Sequence, residues 1–585
     1  MPATEYGPKN AFCSDLHRVK YRLDGESFDD FCHRVSNALA DSKEHCKTLL
    51  SALRLQAWLP AGRQQLAVGS PHKVTPFNCF MSGVVNDSWE GENGIAASAM
   101  RCGSTMRMGG GIGINFSTIR PDGNIIKSSE APASGPVSFM NIWDAVCSTI
   151  QSRGLRRGAM MGILSVDHPD ILQFVRAKTR QGYLTNFNLS VAVTDEFMQA
   201  VKKDELFQLR FEGKPYTIVN GQTKPYPKVR AKELWDEIMT TTWDWSEPGV
   251  IFIDTMNQMN PLNYCEEIIG TNPCGEIPLP ANGACLLGSM NCTAYLVDDG
   301  GLCPDFSFDW DRFSRDISAV VRATDNIIDM SHYPLKEQEI EVKQKRRMGV
   351  GLTGISNTVE LLGYPYASEE YVLMQDRFLC CLRDVAYRTS IDLAREKGSF
   401  PLFDAEFWLE SGYAQTLPES IREGVRKYGL RNGVLLSIAP TGTISLCADN
   451  ISSGVEPTFA LEYERDVNLP GGKRTIQMRD WALERHGIAC TKAEDVPVAD
   501  HVRVLCAAQK YVDSSVSKTC NVGDKVTFSE FKKVYMQAYD GGAKGCTTFR
   551  ASGKRAGILR ANKTDEEEEG GACYIDLETG LRSCG

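Results

Sequence analysis

From about residue 77 onward, short apolar runs alternate with longer amphipathic stretches, separated by Gly- and Pro-rich turns. The runs GVIFID (249–254), NLSVAV (188–193) and GVLLSI (433–438) are nearly all apolar, the pattern of strands covered on both faces. Helical spacing of apolar residues predicts helices over 229–239, 312–330, 369–397 and 500–512. Strands alternating with helices imply an α/β fold with largely parallel strands. Residues 1–60 are more charged and predict helices over 28–40 and 43–58. The second would set Leu49, Leu50, Leu53 and Leu55 on one broad face and stop at Pro60-Ala61-Gly62. No repeat of fixed period occurs.

The clearest boundary lies near 560, where Lys563-Thr564-Asp565, four Glu (566–569) and Gly570-Gly571 make an acidic, solvated, flexible tether. It leads to a last segment holding Cys573 and Cys584. The expected organisation is a short helical region at 1–58, an α/β unit at 59–560, and a tether with its tail at 561–585. A chain of 585 residues can bury a large core without disulfides. With 64 basic and 74 acidic residues, the net charge of −10 argues against a surface dedicated to nucleic acid or anionic lipid. No apolar run reaches the ~18 residues of a membrane span, and the N-terminal residues lack a signal peptide's apolar core. A cytoplasmic protein is expected. Most of its 20 Cys should then be buried small hydrophobes. With no CxxC and no HExxH, no locally spaced metal site is expected.

Asn272-Pro273-Cys274-Gly275-Glu276 describes a tight loop that carries a thiol, a carboxamide two residues before it and a carboxylate two after. Such a thiol has an acid/base partner at hand, although the residue types alone favour a plainer reading, a buried Cys in a turn. APTGTIS (439–445) follows a predicted strand and offers donors suited to phosphate, or simply a capped helix start. GVGLTG (349–354) matches GxGxxG in letters, but KQKRRM precedes it where a strand should be, so it reads as close packing. GGGIG (109–113) lets a cofactor or another piece of protein approach the backbone closely. SRGLRRGAMMG (152–162) is a basic, Gly-flanked loop.

Taken together, these segments resemble the catalytic subunits of ribonucleotide reductases. NPCGEIPLPANGACLLGSMN is similar to the family's finger-loop motif. LPAGRQQ (59–65), FNCFMS (77–82), GGGIGINFSTIRP (109–121), SGPVSFM (134–140), RRGAMMGILSVDHPDI (156–171) and EPGVIFID (247–254) fall in the family's order. So do RRMGVGLTG (346–354), APTGTIS (439–445), SGVEPTFAL (453–461), SVSKTCN (515–521) and KGCTTFR (544–550). The resemblance implies a ten-stranded α/β barrel of two antiparallel halves, each of five parallel strands. Cys274 would sit on a finger loop threading its centre, away from solvent.

The resemblance also implies roles. Cys274 becomes a thiyl radical that takes the 3′ hydrogen of a ribonucleotide, better guessed as a diphosphate. Glu276 is the base on the 3′ hydroxyl, and Asn272 holds the substrate's hydroxyls. Cys79 and Cys285 are the redox pair, leaving Cys292 structural. Cys573 and Cys584 are a shuttle dithiol reduced by a thioredoxin- or glutaredoxin-type protein. Asn78 and Ala439, Pro440, Thr441, Gly442 and Thr443 bind substrate, the latter group through its phosphates. Arg153, Arg156, Arg157, Gly158 and Met160 belong to a loop that links a dNTP effector to substrate choice at a dimer interface, compatible with a homodimer.

Members of this family differ in how the radical is made. An oxygen-dependent form needs adjacent tyrosines near its C-terminus, whereas Tyr535, Tyr539 and Tyr574 stand alone. A glycyl-radical form needs an RVxGY-like segment, and RASGK (550–554) is not one. The adenosylcobalamin-dependent form is left, although no DxHxxG motif is present, so the barrel itself would hold the cofactor. The alternative is an oxygen-dependent catalytic subunit with a separate radical-generating partner. With 58 residues ahead of LPAGR, a regulatory ATP cone is expected to be absent. A catalytically dead scaffold conflicts with the full set of site residues, and a plain dithiol oxidoreductase conflicts with the missing CxxC.

Overall fold

In a computed structural model, the described residues are 6–126, 129–150, 158–219, 222–298, 306–469, 472–523, 525–550 and 554, together with short strands at 559–561, 573–575 and 582–584. Ten strands form one sheet, numbered here in chain order. They are β1 (Trp58–Pro60), β2 (Cys79–Met81), β3 (Gly111–Asn115), β4 (Met160–Ser165) and β5 (Phe187–Val193). The others are β6 (Gly249–Phe252), β7 (Ala284–Asn291), β8 (Met348–Thr353), β9 (Thr519–Val522) and β10 (Gly545–Arg550).

Strands β2 to β6 pair side by side in parallel, as the alternating pattern predicts. The polarity reverses at two junctions, where β2 meets β7 and β6 meets β10 in antiparallel register. Beyond them, β7 pairs with β8 and β10 with β9, each in parallel, while β1 lies antiparallel on β7. The predicted strand at 433–438 appears only as isolated parallel bridges, Val350 to Leu436 and Ile438 to Val516. Part of its backbone bonding is diverted. The buried Asp513 carboxylate accepts from Leu435 N (2.7 Å), Leu436 N (2.8 Å) and the Tyr387 hydroxyl (2.7 Å). Ser437 N still donates to Val350 O at 3.2 Å, and Ser517 N to Ile438 O at 2.8 Å.

Alternation along the strands sorts side chains into two cores. Met160 and Leu164 of β4 join the large core shared with the helices, whereas Met161 and Ile163 join a smaller cluster on the other face. That second face is covered by a hairpin, Gly270–Thr271 paired with Pro278–Leu279. Its neighbours Ile268 and Ile277, with Leu279, are buried among Met81, Met161, Ile163, Ala192 and Leu287. Each such side chain contributes ~1.5–3 kcal/mol by leaving water.

Glycines permit this fit. A Cβ on Gly113 would lie 1.9 Å from Thr271 O, so the GGGIG segment is approached by this chain's own hairpin. A Cβ on Gly351 would lie 2.1 Å from Ser437 O, in keeping with close packing in GVGLTG.

The helices expected at 312–330 and 369–397 form as Trp310–Met330 and Glu369–Lys397. Near the N-terminus, Phe28–Leu39 starts at a capping box between Ser27 and Asp30 and buries Phe28, Phe31, Cys32, Val35 and Leu39 in the large core. The next helix, Lys43–Arg54, ends earlier than predicted. Leu55 therefore leaves the helix and is 49% exposed, while Leu49 and Leu53 are buried. A further helix, Ala11–Tyr21, was not predicted, because its buried stripe is Cys13, Leu16, His17 and Tyr21 and reads as polar. Among the described residues, no helix is long and apolar enough to cross a membrane.

Gly113→Ala should lower stability by ~1–3 kcal/mol, the usual cost of forcing atoms into a packed interior. Gly442→Ala, where a Cβ would meet nothing within 4 Å, should be near neutral. Denaturant midpoints of the two variants check the difference.

Candidate active site

The turn of the buried hairpin is Asn272–Ile277. Asn272 shapes it from within: its Oδ1 accepts from Ile277 N at 3.0 Å, and its backbone O accepts from Gly275 N at 3.0 Å. Gly275 turns the chain with φ of +79°, a left-handed conformation that favours glycine. The sheet grips the turn from several sides. Asn188 Nδ2 of β5 donates to Pro273 O (3.1 Å), Ser437 Oγ and Ser515 N donate to Glu276 O (3.0 Å each), and Ser517 Oγ donates to Cys274 O (2.9 Å). None of these four anchors stood out in the sequence: Asn188 and Ser437 are polar residues in apolar runs, and Ser515 and Ser517 are two of several polar residues in DSSVSKT (513–519).

Two predicted thiols meet here. At the antiparallel junction, Cys79 of β2 is the register partner of Cys285 of β7, 206 residues away. Residues directly opposite in such a pair have Cα atoms ~4.5–5.5 Å apart, within the range a disulfide spans. Cys79 also touches the turn: Asn272 Nδ2 donates to its Sγ at 3.1 Å, and its Sγ donates to Glu276 Oε1 at 3.6 Å. Glu276 is 2% exposed. Cys285 is fully buried, and that burial pushes its thiol well above the usual range. Cys292, by contrast, lies in the large core shared with the helices, as a structural residue would.

Cys274 departs from expectation. Its thiol is exposed, although Asn272, Pro273 and Glu276 on either side are buried. The anchors hold the turn by its backbone and flanks, and the tip projects past them into open space; even a Cβ on Gly275 would meet nothing. The protein atoms described do not by themselves keep water from this sulfur.

The other predicted residues divide. Asn78 precedes Cys79, and its Oδ1 is buried with no hydrogen-bond partner among the described residues, an acceptor suited to a ligand's donor. Ala439 borders the hairpin cluster, Pro440 is half-buried, and Gly442 and Thr443 are exposed. Thr441 is different: its hydroxyl contacts Thr353 Oγ1 (2.9 Å), Ser445 Oγ (2.8 Å) and Gly454 N (2.9 Å). It braces the turn with donors and acceptors already engaged and is not placed to bind phosphate through its side chain. Met160 is 1% exposed within β4, facing the helices. Gly158 is half-buried beside Cys147 and Met106, and Arg153, Arg156 and Arg157 lie outside the described residues. In the tail, Cys573–Ile575 and Arg582–Cys584 pair antiparallel with Cys573 opposite Cys584; the acidic tether at 562–572 lies outside the described residues.

The turn thus brings a thiol, a carboxamide and a carboxylate beside a facing pair of cysteines. The family model for the ribonucleotide reductase barrel domain matches residues 77–549. The chain belongs to that family. It is 33% identical over 502 residues to the vitamin B12-dependent ribonucleoside-diphosphate reductase of Thermoplasma acidophilum, covering 81% of this chain and 61% of that protein. A Mycobacterium tuberculosis protein described in the same words is 34% identical over 495 residues, covering 80% and 67%. The vitamin B12-dependent ribonucleotide reductase of Streptomyces clavuligerus is 28% identical over 635 aligned positions, covering 94% and 64%. The chain thus spans about 61–67% of the length of these relatives.

Mild oxidation of the reduced protein should close a Cys79–Cys285 disulfide, detectable as a cross-linked peptide by mass spectrometry. Failure of that peptide to form would contradict the register.

Proposed function

We propose that this chain reduces ribonucleotides, as diphosphates, to 2′-deoxyribonucleotides through a thiyl radical on Cys274. The observation that carries the proposal is the contact of one turn with both halves of the chemistry: Cys274 at its tip, and Asn272 and Glu276 touching Cys79 opposite Cys285.

The steps follow from these residues. Cys274 Sγ as a radical takes the 3′ hydrogen of the ribose, while Glu276 receives the 3′ hydroxyl proton at its carboxylate, which must lie within hydrogen-bond reach. With a radical on the neighbouring carbon, the 2′ hydroxyl departs as water. The Cys79 and Cys285 thiols together give up two electrons and two protons, becoming a disulfide. One proton leaves with the 2′ hydroxyl as water, and the other, with the electrons, makes the new C2′–H bond. Glu276 returns its proton to the 3′ oxygen, and the 3′ hydrogen returns from Cys274, which is again a radical. Asn272 orients the hydroxyls, and the unmatched acceptor of Asn78 accepts from the substrate. Substrate phosphates meet the backbone at Ala439, Pro440, Gly442 and Thr443.

The cofactor proposed is adenosylcobalamin, the group that the vitamin B12-dependent names of the relatives imply. The residues present fit it: a corrin brings its own nitrogen ligands, so the protein must offer an approach to the sulfur, and the exposed Cys274 with the open space beside Gly275 does so. Cys274, Gly275 and Ser517 would face the bound group. When bound, it would supply the radical equivalent to the Cys274 thiol and cover it from water.

We further propose that 434–438, bridged to β8 and to 514–517 ahead of β9, joins strands β2 to β10 and closes them into a ten-stranded barrel, with β1 outside the ring and the hairpin as its finger loop. The bridges Val350 to Leu436 and Ile438 to Val516 support this. Cys573 and Cys584, facing each other across their strands, would carry electrons from a thioredoxin- or glutaredoxin-type protein. The 1–58, 59–560 and 561–585 division, a dNTP effector at 152–162, a homodimer and a cytoplasmic setting complete the proposal.

With adenosylcobalamin, a dithiol and a ribonucleoside diphosphate under anaerobic conditions, the chain should form deoxyribonucleotide with no second protein, and Cys274→Ser should form none. Turnover by Cys274→Ser would remove that sulfur from the role. A requirement for a second, radical-generating protein would favour the oxygen-dependent alternative.

A further inference from the structure

The Cys79–Cys285 pair sits in an uneven environment. On the side of the exposed tip, Cys79 contacts the turn through Asn272 and Glu276. Cys285 is fully buried, and its Sγ contacts Leu286 O at 3.3 Å. Its charged neighbour is on the adjacent strand. β7 and β8 are in parallel register with Leu286 opposite Met348, so Cys285 and Arg347, each one residue earlier, are level with one another. They also share a face: Cys285 and Leu287 lie in the hairpin cluster, and a Cβ on Gly349, two residues after Arg347, would touch Leu287 and Ile277.

Arg347 is 1% exposed and held in a buried set of four charges. Its guanidinium bonds Glu266 and, at 3.1 Å, Glu341 Oε1; Lys345 Nζ bonds Glu266 Oε2 at 2.9 Å and Glu341 Oε1 at 3.1 Å. Burial drives the Cys285 thiol up, and Arg347 is the strongest influence drawing it back, ahead of the opposing carboxylates of Asp513, Glu276 and Glu341. Cys79, by contrast, meets the Glu276 carboxylate and the Asn272 amide of the turn.

We propose that re-reduction of the pair is directional: the incoming thiolate attacks Cys79, and Cys285 departs as a thiolate beside Arg347, a positioning residue for this step. This rests on the reading of Cys79 and Cys285 as the redox pair. The reductant is a dithiol. Its first thiolate bonds to Cys79 Sγ, the Cys79–Cys285 bond breaks, and its electron pair stays on Cys285 Sγ, which then takes a proton. The second thiol of the reductant displaces Cys79 from the mixed disulfide, so one dithiol is oxidised as one disulfide is reduced. Attack from the tip side meets Cys79 first, with Cys285 behind it as leaving group.

The test uses the oxidised full-length chain. It is exposed to reduced glutathione, quenched early with iodoacetamide, and glutathionylated and alkylated peptides are mapped by mass spectrometry. Glutathione on Cys79 with Cys285 alkylated should be at least about tenfold more abundant than the reverse pattern. Equal amounts, or more glutathione on Cys285, would overturn the direction. For Arg347, the oxidised pair is reduced by dithiothreitol in Arg347→Gln and Arg347→Lys. The Gln variant should be slowed severalfold, a rise of one pKa unit in the leaving group costing no more than about tenfold, while Lys should restore most of the rate and folded content is followed by circular dichroism. An undiminished rate in a folded Arg347→Gln protein would overturn its role. If Gln leaves Glu266 and Glu341 uncompensated and the chain unfolded, slowed reduction in folded Arg347→Lys at high pH, where lysine loses its charge and arginine keeps it, is the expected result and a wild-type pH profile the contrary one. Selective modification of Cys79 in a chain that forms no deoxyribonucleotide would defeat the proposed function and leave the direction of exchange standing.

Discussion

The antiparallel pairing of β2 with β7 is the constraint on which the rest of the site depends. Five parallel strands alone would leave Cys79 at a sheet edge with no second thiol opposite. Reversal of polarity at this junction brings Cys285 into register with it. The same junction borders the face covered by the hairpin, so Asn272 and Glu276 reach Cys79 from the turn that carries Cys274. The facing cysteines, the Glu276 carboxylate and the exposed Cys274 therefore share one rigid support. Their geometry is set by backbone pairing, with hydrophobic burial of Ile268, Ile277 and Leu279 keeping the hairpin in place.

Much of this was legible in the sequence, for identifiable reasons. The helix Glu369–Lys397 has long, uninterrupted apolar spacing, and β5 and β6 are compact apolar runs, so periodicity places them well. The pair Cys79 and Cys285 could not be seen by spacing, since strand pairing across 206 residues leaves no local trace; only resemblance to a family joined them. The segment 433–438 has a strand's composition, yet Asp513 takes two of its N–H groups, and a carboxylate far along the chain is invisible to a local pattern. Asn188, Ser437 and Ser517 were passed over for a similar reason. Each acts through a single contact with the backbone of the turn.

Two corrections bear on mechanism. Thr441 was grouped with phosphate-binding residues because its neighbours are small and polar, but its hydroxyl is spent on Thr353, Ser445 and Gly454, which makes it a brace for the turn that follows. Cys274 was expected to be enclosed and is exposed. The hairpin can be buried along its length while its tip is open, because bonds that fix it fall on the backbone at Pro273 O, Cys274 O and Glu276 O. Under the proposed function, a radical here would be protected by what binds over the tip, with cofactor and substrate completing the site sterically as well as chemically.

The most direct test is the stoichiometry of a single turnover. A fully reduced chain carrying Cys573→Ser and Cys584→Ser, with adenosylcobalamin and a ribonucleoside diphosphate but no added dithiol, is quenched once product stops accumulating. Deoxyribonucleotide is counted, and disulfides are mapped by mass spectrometry. The account predicts one product per active chain and an equal quantity of the Cys79–Cys285 disulfide. Product formed without that disulfide, or matched by a disulfide between other cysteines, would contradict it.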